Sequence, residues 1–313
     1  MSIVASLSHD LLIPEKVLSR LISSAPHRYK VYQVDKKSGQ GKRTIAQPAR
    51  SVKALQRWVM ANLLDKLPVH DAAAAYVIGR NIVQNAAVHA PQRFLMKLDF
   101  QDFFPSMTAE DLQAYLDLAP LPDLTTQDVV DLKKILFWNR NRAGRLVMSI
   151  GAPSSPMLSN ILMFRFDETV QGHCSALGVI YTRYADDLTF STDEPNVLTE
   201  VKHRVEQICL ESRHPTLRLN ERKTVHASRA NSRRVTGLVL SNEGTVSLGR
   251  DRKRVIRAGV HHFIKGGMDL KEIAHLQGML AFVHVAEPDF LNRLTEKYGV
   301  DVIKAILTFK KQG

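Results

Sequence analysis

The sequence predicts a mixed α+β fold that ends in an all-helical tail. Three observations carry that reading. Short β-prone runs alternate with amphipathic stretches between residues 28 and 250, and from Arg250 onward the pattern is helical and basic. The third is the placing of acids: one apolar run ends at Asp99, and another surrounds the adjacent pair Asp186 and Asp187. A chain of 313 residues exceeds the usual size of one hydrophobic core, so two or more subdomains are expected. With 44% hydrophobic and 24% charged residues, the composition is that of a globular protein and excludes a disordered one.

Taken in order, PEKVLSRLISS (14–24) places Val17, Leu18, Leu21 and Ile22 on one helical face, with Pro14 suited to the first turn. RYKVYQVDKKSGQGKRTIAQP (28–48) supplies two β-prone arms around a loop with Gly39 and Gly41, and Pro48 stops the second arm. SVKALQRWVMANLLDKL (51–67) is an amphipathic helix whose Leu55 and Trp58 face is read as core, and NIVQNAAVHA (81–90) is a further helical segment. RFLMKLDFQDFFPS (93–106) begins as an apolar strand and ends at Pro105. Thr108 with Asp111, and Thr125 with Asp128, open helices over about 108–118 and 126–138. RLVMSIGAPSSPMLSNILMFRFDETV (145–170) reads as strand, turn and helix; the hairpin 179–191, a helix over 195–212 and NERKT (220–224) come next. RRVTGLVLSNEGTVSLGR (233–250) reads as a β-hairpin turning at Asn242–Gly244.

Lys and Arg outnumber Asp and Glu by 43 to 31, for a net charge of +12, which points first to a nucleic-acid partner. Cys174 and Cys209 are the only cysteines, excluding a disulfide framework and a Cys-based zinc site. No signal peptide or membrane-spanning run is evident, so a cytoplasmic location without a membrane partner is expected.

VIYTRYADDLTFS (179–191) carries the chemistry. Two adjacent carboxylates in a partly buried hairpin repel each other and lose hydration, unless a positive partner compensates. If the strand ending at Asp99 pairs with this hairpin, three carboxylates converge into an oxygen cage for two hard divalent cations. Such a pair of metals serves phosphoryl transfer by activating an attacking hydroxyl and stabilising a leaving oxygen.

LDFQDFF, GAPSSP, YADD, NERKT and VTGL follow in the order and rough spacing of reverse transcriptase motifs. NAAVH (85–89) resembles the NAxxH element, and VTG (235–237) the VTG element, of bacterial retron reverse transcriptases, which make multicopy single-stranded DNA on an RNA template. The resemblance spans about residues 28 to 300. It implies a right-hand polymerase fold: N-terminal helix and fingers over 1–92, a palm over 93–235 (an antiparallel sheet with helices on one face and a helical insertion at about 106–144), and a helical thumb over 236–313. Asp99, Asp186 and Asp187 match the carboxylates that bind two Mg²⁺ ions, and Lys223 a lysine that protonates the pyrophosphate leaving group. Arg43 matches the arginine on the incoming triphosphate, and Phe104 the aromatic gate against a ribonucleotide 2′-hydroxyl. Gly151 and Ala152 match backbone that lines the nucleotide. One position departs: where many relatives read QGxPxSP, this chain reads IGAPSSP, and Ile150 can form no side-chain hydrogen bond.

Arg229, Arg233, Arg234, Arg250, Arg252, Lys253, Arg254 and Arg257 crowd one span. On a thumb they suit the phosphates of an RNA or hybrid duplex, with Arg250, Arg252, Lys253, Arg254 and Arg257 as the RNA-binding set. His89 is read as structural, with Asn85 and His89 ordering the fingers or touching RNA, and His261 and His262 as surface or RNA-facing. The partners implied are a cognate structured non-coding RNA, its RNA–DNA hybrid, deoxynucleoside triphosphates, the effector protein of an anti-phage defence system, and a host ribonuclease H. Synthesis from an RNA 2′-hydroxyl would give a branched hybrid. The alternatives are a group II intron-like or other reverse transcriptase, such as a diversity-generating element, and a non-catalytic RNA-binding scaffold. Retention of all three acids argues against the scaffold.

Overall fold

Helices α1 (Ile3–Leu11) and α2 (Glu15–Ser24) open this computed structural model, which describes residues 2–35, 41–119, 121, 124–140 and 144–309. The apolar face of α2 divides: Leu18 and Ile22 are buried, while Val17 stays exposed. Strands β1 (Tyr29–Asp35) and β2 (Lys42–Pro48) pair antiparallel from Tyr29–Pro48 to Asp35–Lys42. In the loop between them, Gly39 lies outside the described residues. Helix α3 (Arg50–Asn62) buries Val52, Leu55, Gln56 and Val59; it stops short of the sequence pattern because residues 64–66 tighten into a 3₁₀ turn. Trp58 sits at the edge of this face, its indole N–H donating to Asp10 Oδ2 at 2.7 Å. Helix α4 (Ile82–Ala87) starts at Asn81, whose side chain accepts from the N–H groups of Val83 and Gln84.

Strand β3 (Phe94–Asp99) ends well before Pro105, because the chain turns at Asp102 (φ 48°) into the short helix α5 (Phe103–Ser106). Helices α6 (Ala109–Leu118) and α7 (Thr126–Leu136) start at the expected caps. The Thr108 N–H donates to Asp111 Oδ2 at 2.7 Å; Thr125 N–H donates to Asp128 Oδ2 at 3.0 Å, and Asp128 N–H returns to Thr125 Oγ1 at 3.2 Å. The strand expected from residue 145 is reduced to β5 (Leu146–Val147), paired antiparallel with β4 (Trp138–Asn139). Helices α8 (Ser155–Leu162) and α9 (Phe164–Ala176) lead to β6 (Ile180–Tyr184) and β7 (Asp187–Thr192). Helix α10 (Val197–Glu211) and strand β8 (Val225–Ser228) complete this stretch, and one sheet runs in the order β6–β7–β3–β8. Two residues join β6 to β7, too few for a crossover, so that pair is antiparallel.

The segment 233–250 makes three strands rather than two: β9 (Arg233–Val235), β10 (Leu238–Leu240) and β11 (Val246–Ser247), all antiparallel. The additional turn is at Thr236–Gly237, where both residues take positive φ. The tail is helical as expected, with α11 (Arg250–Ile264), α12 (Leu270–Ala286), α13 (Pro288–Tyr298) and α14 (Val300–Thr308).

These elements fall into two compact units. One comprises Met1–Gly79, Lys97–Thr189 and Asn196–Val225; the other comprises Arg80–Met96, Phe190–Pro195 and His226–Gly313. In the first, α2, α3 and α7 pack together, and Gln56 Nε2 crosses their interior to the Ile135 carbonyl at 2.9 Å. In the second, Val235, Leu238 and Leu240 of the small sheet form one core with Ile256, Leu276, Leu280, Val283 and Phe290 of the helices. Among the described residues, no helix is long and apolar enough to cross a membrane.

Candidate active site

Asp99 is the last residue of β3, and Asp186 and Asp187 lie where β6 turns into β7, the strand beside β3. Adjacency of the strands brings the acids together: the Phe100 N–H donates to the Asp186 carbonyl at 3.0 Å. Asp99 is 5% exposed, and the charge of Asp187 acts on its carboxyl. Lys223 Nζ reaches both Asp99 oxygens, at 2.7 and 2.8 Å, and the Asn220 N–H donates to the Asp99 carbonyl at 2.7 Å. NERKT is thus tied to β3 at both backbone and side chain.

Burial raises the carboxyl of Asp99 above its ordinary value, against the pull of Lys223. Burial also raises Asp186, with the charge of Asp99 adding to it, and raises Asp187, which the Lys97 ammonium 3.8 Å away partly offsets. All three groups therefore hold more negative charge than their surroundings favour, and the site attracts cations.

The turn itself is strained and held. Ala185 has a left-handed φ of 57°, which residues with a Cβ seldom adopt. Beneath it Arg183 is 0% exposed. Its Nη2 and Nε donate to Asp167 at 2.6 and 2.9 Å, and the Tyr181 hydroxyl donates to the same carboxylate at 2.8 Å. Arg183 Nη1 donates to the Ala185 carbonyl and to Asn160 Oδ1, each at 3.2 Å. A buried arginine is tolerated because its planar fork is paired and hydrogen-bonded on several sides.

The IGAP segment seats against β2. Gly151 has φ 121°, and a Cβ there would stand 3.2 Å from both the Ala46 carbonyl oxygen and Ile45 Cγ2. The Ala46 N–H donates to the Ile150 carbonyl at 2.9 Å, and Ala152 is buried. Strand β2 also carries Arg43, exposed, whose charge acts on Asp186 and on Tyr76. Phe103 and Phe104 separate: Phe103 is buried and stacked on Phe100 at 5.7 Å, whereas Phe104 is half-buried with its ring 6.5 Å from that of Tyr76. Tyr76 is 49% exposed and left-handed, with φ 62°.

Residues 34–240 match the family model described as reverse transcriptase (RNA-dependent DNA polymerase). Over 296 residues the chain is 41% identical to the retron Ec83 reverse transcriptase of Escherichia coli, covering 94% of this chain and 94% of that protein. This chain belongs to the retron reverse transcriptases. It is also 34% identical to the retron Ec86 reverse transcriptase of Escherichia coli, over 92% of this chain and 88% of that one. To the retron Ec73 enzyme of the same organism it is 30% identical, over 96% of each. The retron reverse transcriptase is thus an RNA-directed DNA polymerase with the right-hand polymerase fold that its motifs implied.

Reverse transcriptases depend on divalent metal, and the donor set here fits one. Asp99, Asp186 and Asp187 offer only hard oxygens, and burial, with their mutual repulsion adding to it, disfavours their charged forms, a cost that a divalent cation offsets. The three do not stand as a closed cage: Asp99 is turned to Lys223, and among the described residues no three His, Cys, Asp or Glu groups form a ready metal site.

The basic residues of the reverse transcriptase divide into two kinds. Arg250, Arg252, Arg254 and Arg257 are exposed on α11. Lys253 is half-buried, ion-paired with Glu287 and 5.4 Å from the centre of the Phe290 ring. Arg233 corrects the sequence reading outright: it is 1% exposed and donates to the carbonyls of Ala90, Gln92 and Ser241, so it is core. His89 is fully buried, its Nδ1 2.7 Å from Ser191 Oγ, and burial lowers its pKa to about 3. A neutral histidine at that depth touches no RNA, which leaves the structural reading; His261 and His262 are exposed. Sequence reasoning missed Tyr76, Lys97 and Arg183. A lone aromatic closing the AAAAY run before Gly79 was the available signal for Tyr76.

Proposed function

We propose that this reverse transcriptase copies a cognate structured non-coding RNA into DNA, starting from a guanosine 2′-hydroxyl of that RNA and leaving a branched RNA–DNA hybrid, the multicopy single-stranded DNA. The supporting observation is the convergence of Asp99 from β3 with Asp186 and Asp187 from the neighbouring turn. On this reading residues 1–92 are the N-terminal helix and fingers, 93–235 the palm with an insertion at about 106–144, and 236–313 the thumb. The setting is cytoplasmic anti-phage defence, with an effector protein responding to the hybrid and a host ribonuclease H trimming the template.

Held by Asp99, Asp186 and Asp187, two Mg²⁺ ions would supply activation of the primer hydroxyl and charge compensation for the departing oxygen. Arg43 grips the triphosphate of a deoxynucleotide, where a planar guanidinium matches phosphate oxygens. Phe104 crowds the 2′ position of the sugar, and the backbone of Gly151 and Ala152 lines its other side. Lys223 carries a proton beside Asp99 and delivers it to pyrophosphate, which otherwise leaves as a more basic anion. The exposed arginines of α11 neutralise phosphates of the RNA duplex.

The test is the Asp186→Asn, Asp187→Asn variant, purified with its nucleic acid. Wild-type protein should yield DNA joined to RNA through a 2′ branch, seen by sequencing before and after ribonuclease treatment. The variant should carry the RNA alone. Synthesis by the variant at the wild-type rate would falsify the metal assignment, and random cellular RNA on the wild type would favour a binding scaffold.

A further inference from the structure

Past the end of β3, two adjoining cavities of about 240 and 430 Å³ lie within one compact unit. Gln101, Asp102, Ser106, Arg145, Thr216 and Arg218 line the smaller one. The larger shares Ser106, Arg145 and Thr216 with it and adds Arg213 and His214. No residue assigned above to the metals, the incoming nucleotide or the RNA borders either cavity. Arg145, Arg213 and Arg218 are exposed, and among the described residues none of them is ion-paired.

The backbone ties this groove to the carboxylates. Phe100 stands opposite Leu219 in an antiparallel bridge; the Gln101 N–H donates to the Arg218 carbonyl at 2.8 Å, and the Asn220 N–H to that of Asp99 at 2.7 Å. Gln101 and Arg218 therefore face each other two residues beyond Asp99, about 7 Å along the strand and on the face that Asp99 uses. The Ser106 hydroxyl donates to the Phe103 carbonyl at 2.7 Å, and that of Thr216 to the Arg213 carbonyl at 3.1 Å. The donors left for a ligand are thus the guanidiniums and the Gln101 amide. Acids moderate their charge. In the smaller cavity two arginines face one acid, Asp102. In the larger, Arg145 and Arg213 face Glu110 and Asp111, the latter held by the Thr108 N–H and by His214 Nδ1 at 2.9 Å. Positive charge is therefore greatest next to Asp99 and weakens outward.

That lining selects a ligand. No Phe, Tyr or Trp borders either cavity, and the one imidazole is tied to Asp111, so a nucleobase has no ring to stack on. Arginine forks instead match the oxygens of a compact phosphate anion. DNA synthesis makes one nearby: as the primer oxygen bonds to the α-phosphorus, the bond from that phosphorus to the bridging oxygen breaks, and pyrophosphate is freed. We infer that the two cavities form a departure groove for pyrophosphate, with Arg218 and Arg145 taking the anion from the carboxylate site and Arg213 handing it to solvent. A charge that falls outward suits a product that must leave. The inference rests on the polymerase reading for the source of the anion, but binding of the anion is measured without synthesis.

The experiment compares wild type, Arg145→Gln/Arg218→Gln, the charge-keeping Arg145→Lys/Arg218→Lys, and Arg213→Gln. Binding of sodium pyrophosphate is measured by calorimetry in metal-free buffer, where the carboxylates repel the anion, with sodium sulfate as the control. Inhibition of DNA synthesis by pyrophosphate is then measured on a supplied primer–template, with deoxynucleotide varied. The glutamine pair should weaken pyrophosphate binding about tenfold, the loss expected for two exposed charge contacts, and raise the inhibitory concentration to match. Arg213→Gln should weaken it about threefold. Deoxynucleotide KM and RNA affinity should stay within about twofold of wild type. The lysine pair should recover most of the binding, and matched melting curves exclude a folding defect. A raised deoxynucleotide KM with unchanged pyrophosphate binding would overturn the inference in favour of the incoming triphosphate. A fall in RNA affinity alone would overturn it in favour of a nucleic-acid backbone. Wild type that binds pyrophosphate no better than sulfate, or a glutamine pair that binds it as wild type does, would overturn it outright. If Asp186→Asn, Asp187→Asn remained active, the metal assignment would fail, while pyrophosphate binding that depends on Arg145 and Arg218 would stand.

Discussion

Arg183 shows how much a single residue beneath the site decides. Its guanidinium holds Asp167 on one side and the carbonyl of left-handed Ala185 on the other, so the turn bearing Asp186 and Asp187 is set by a group that touches neither acid. A lysine keeps the charge but cannot bridge Asp167, Asn160 and Ala185 together. Arg183→Lys should therefore lower kcat at least tenfold, with more divalent metal needed for half-maximal activity. Asp167→Asn leaves the arginine charge buried and unpaired, and should instead cost about 3–5 kcal/mol of stability, read by chemical denaturation. An Arg183→Lys enzyme with wild-type metal dependence would show that the turn holds itself. YADD and its flanking apolar arms announced a charged hairpin in the sequence, whereas Arg183 there was one more basic residue. Its partners stand 16 and 23 positions away, on α9 and α8, beyond any local pattern.

At the level of elements, α11 carries exposed arginines, proposed above to neutralise RNA phosphates, beside a lysine that is paired within the fold. Arg250, Arg254 and Arg257 are exposed, while Lys253 on the same helix is paired with Glu287. Replacing the three arginines by glutamine should weaken RNA binding and reduce its salt dependence by up to about 0.9 per lost contact on a duplex, with little change in melting. Lys253→Gln should do the reverse, lowering the melting temperature while leaving the salt slope near wild type. Equal salt effects from both would mean that Lys253 leaves Glu287 to bind RNA. The sequence marks such a helix by its charge run, but not which charge is spent internally, because Glu287 is 34 residues away. The helices that were legible had local signals, such as Thr125 with Asp128, whose reciprocal bonds lie within one turn. Strand ends were less so. The stop of β3 is set by the turn at Asp102, not by Pro105, and the turn at Thr236–Gly237 made three strands of an expected hairpin.

Across the molecule, each unit is assembled from segments far apart in the chain, so its stability depends on contacts that close long loops. In the unit built from Arg80–Met96, Phe190–Pro195 and His226–Gly313, His89 meets Ser191 and the Arg93 N–H meets Asp193 Oδ1 at 2.7 Å, joining the first segment to the second. Arg233 then ties the third segment to the carbonyls of Ala90 and Gln92. His89 makes this closure sensitive to acid. Burial lowers its pKa from the ordinary 6.5 to about 3, so the unfolded chain takes up a proton near pH 6.5 that the folded one refuses until about pH 3. Stability from this group is whole above pH 6.5 and drains away as pH falls toward 3, reaching a loss of roughly 3 kcal/mol at pH 4. Urea unfolding measured from pH 8 to pH 4 should show that slope in the wild type. His89→Gln keeps a hydrogen-bonding side chain and removes the titration; it should start about 1 kcal/mol less stable at pH 8 and lose correspondingly less on acidification, so that the two curves cross at about pH 6 and the variant is the more stable at pH 4. Parallel curves would assign the acid sensitivity to other groups and leave His89 as a packing residue only.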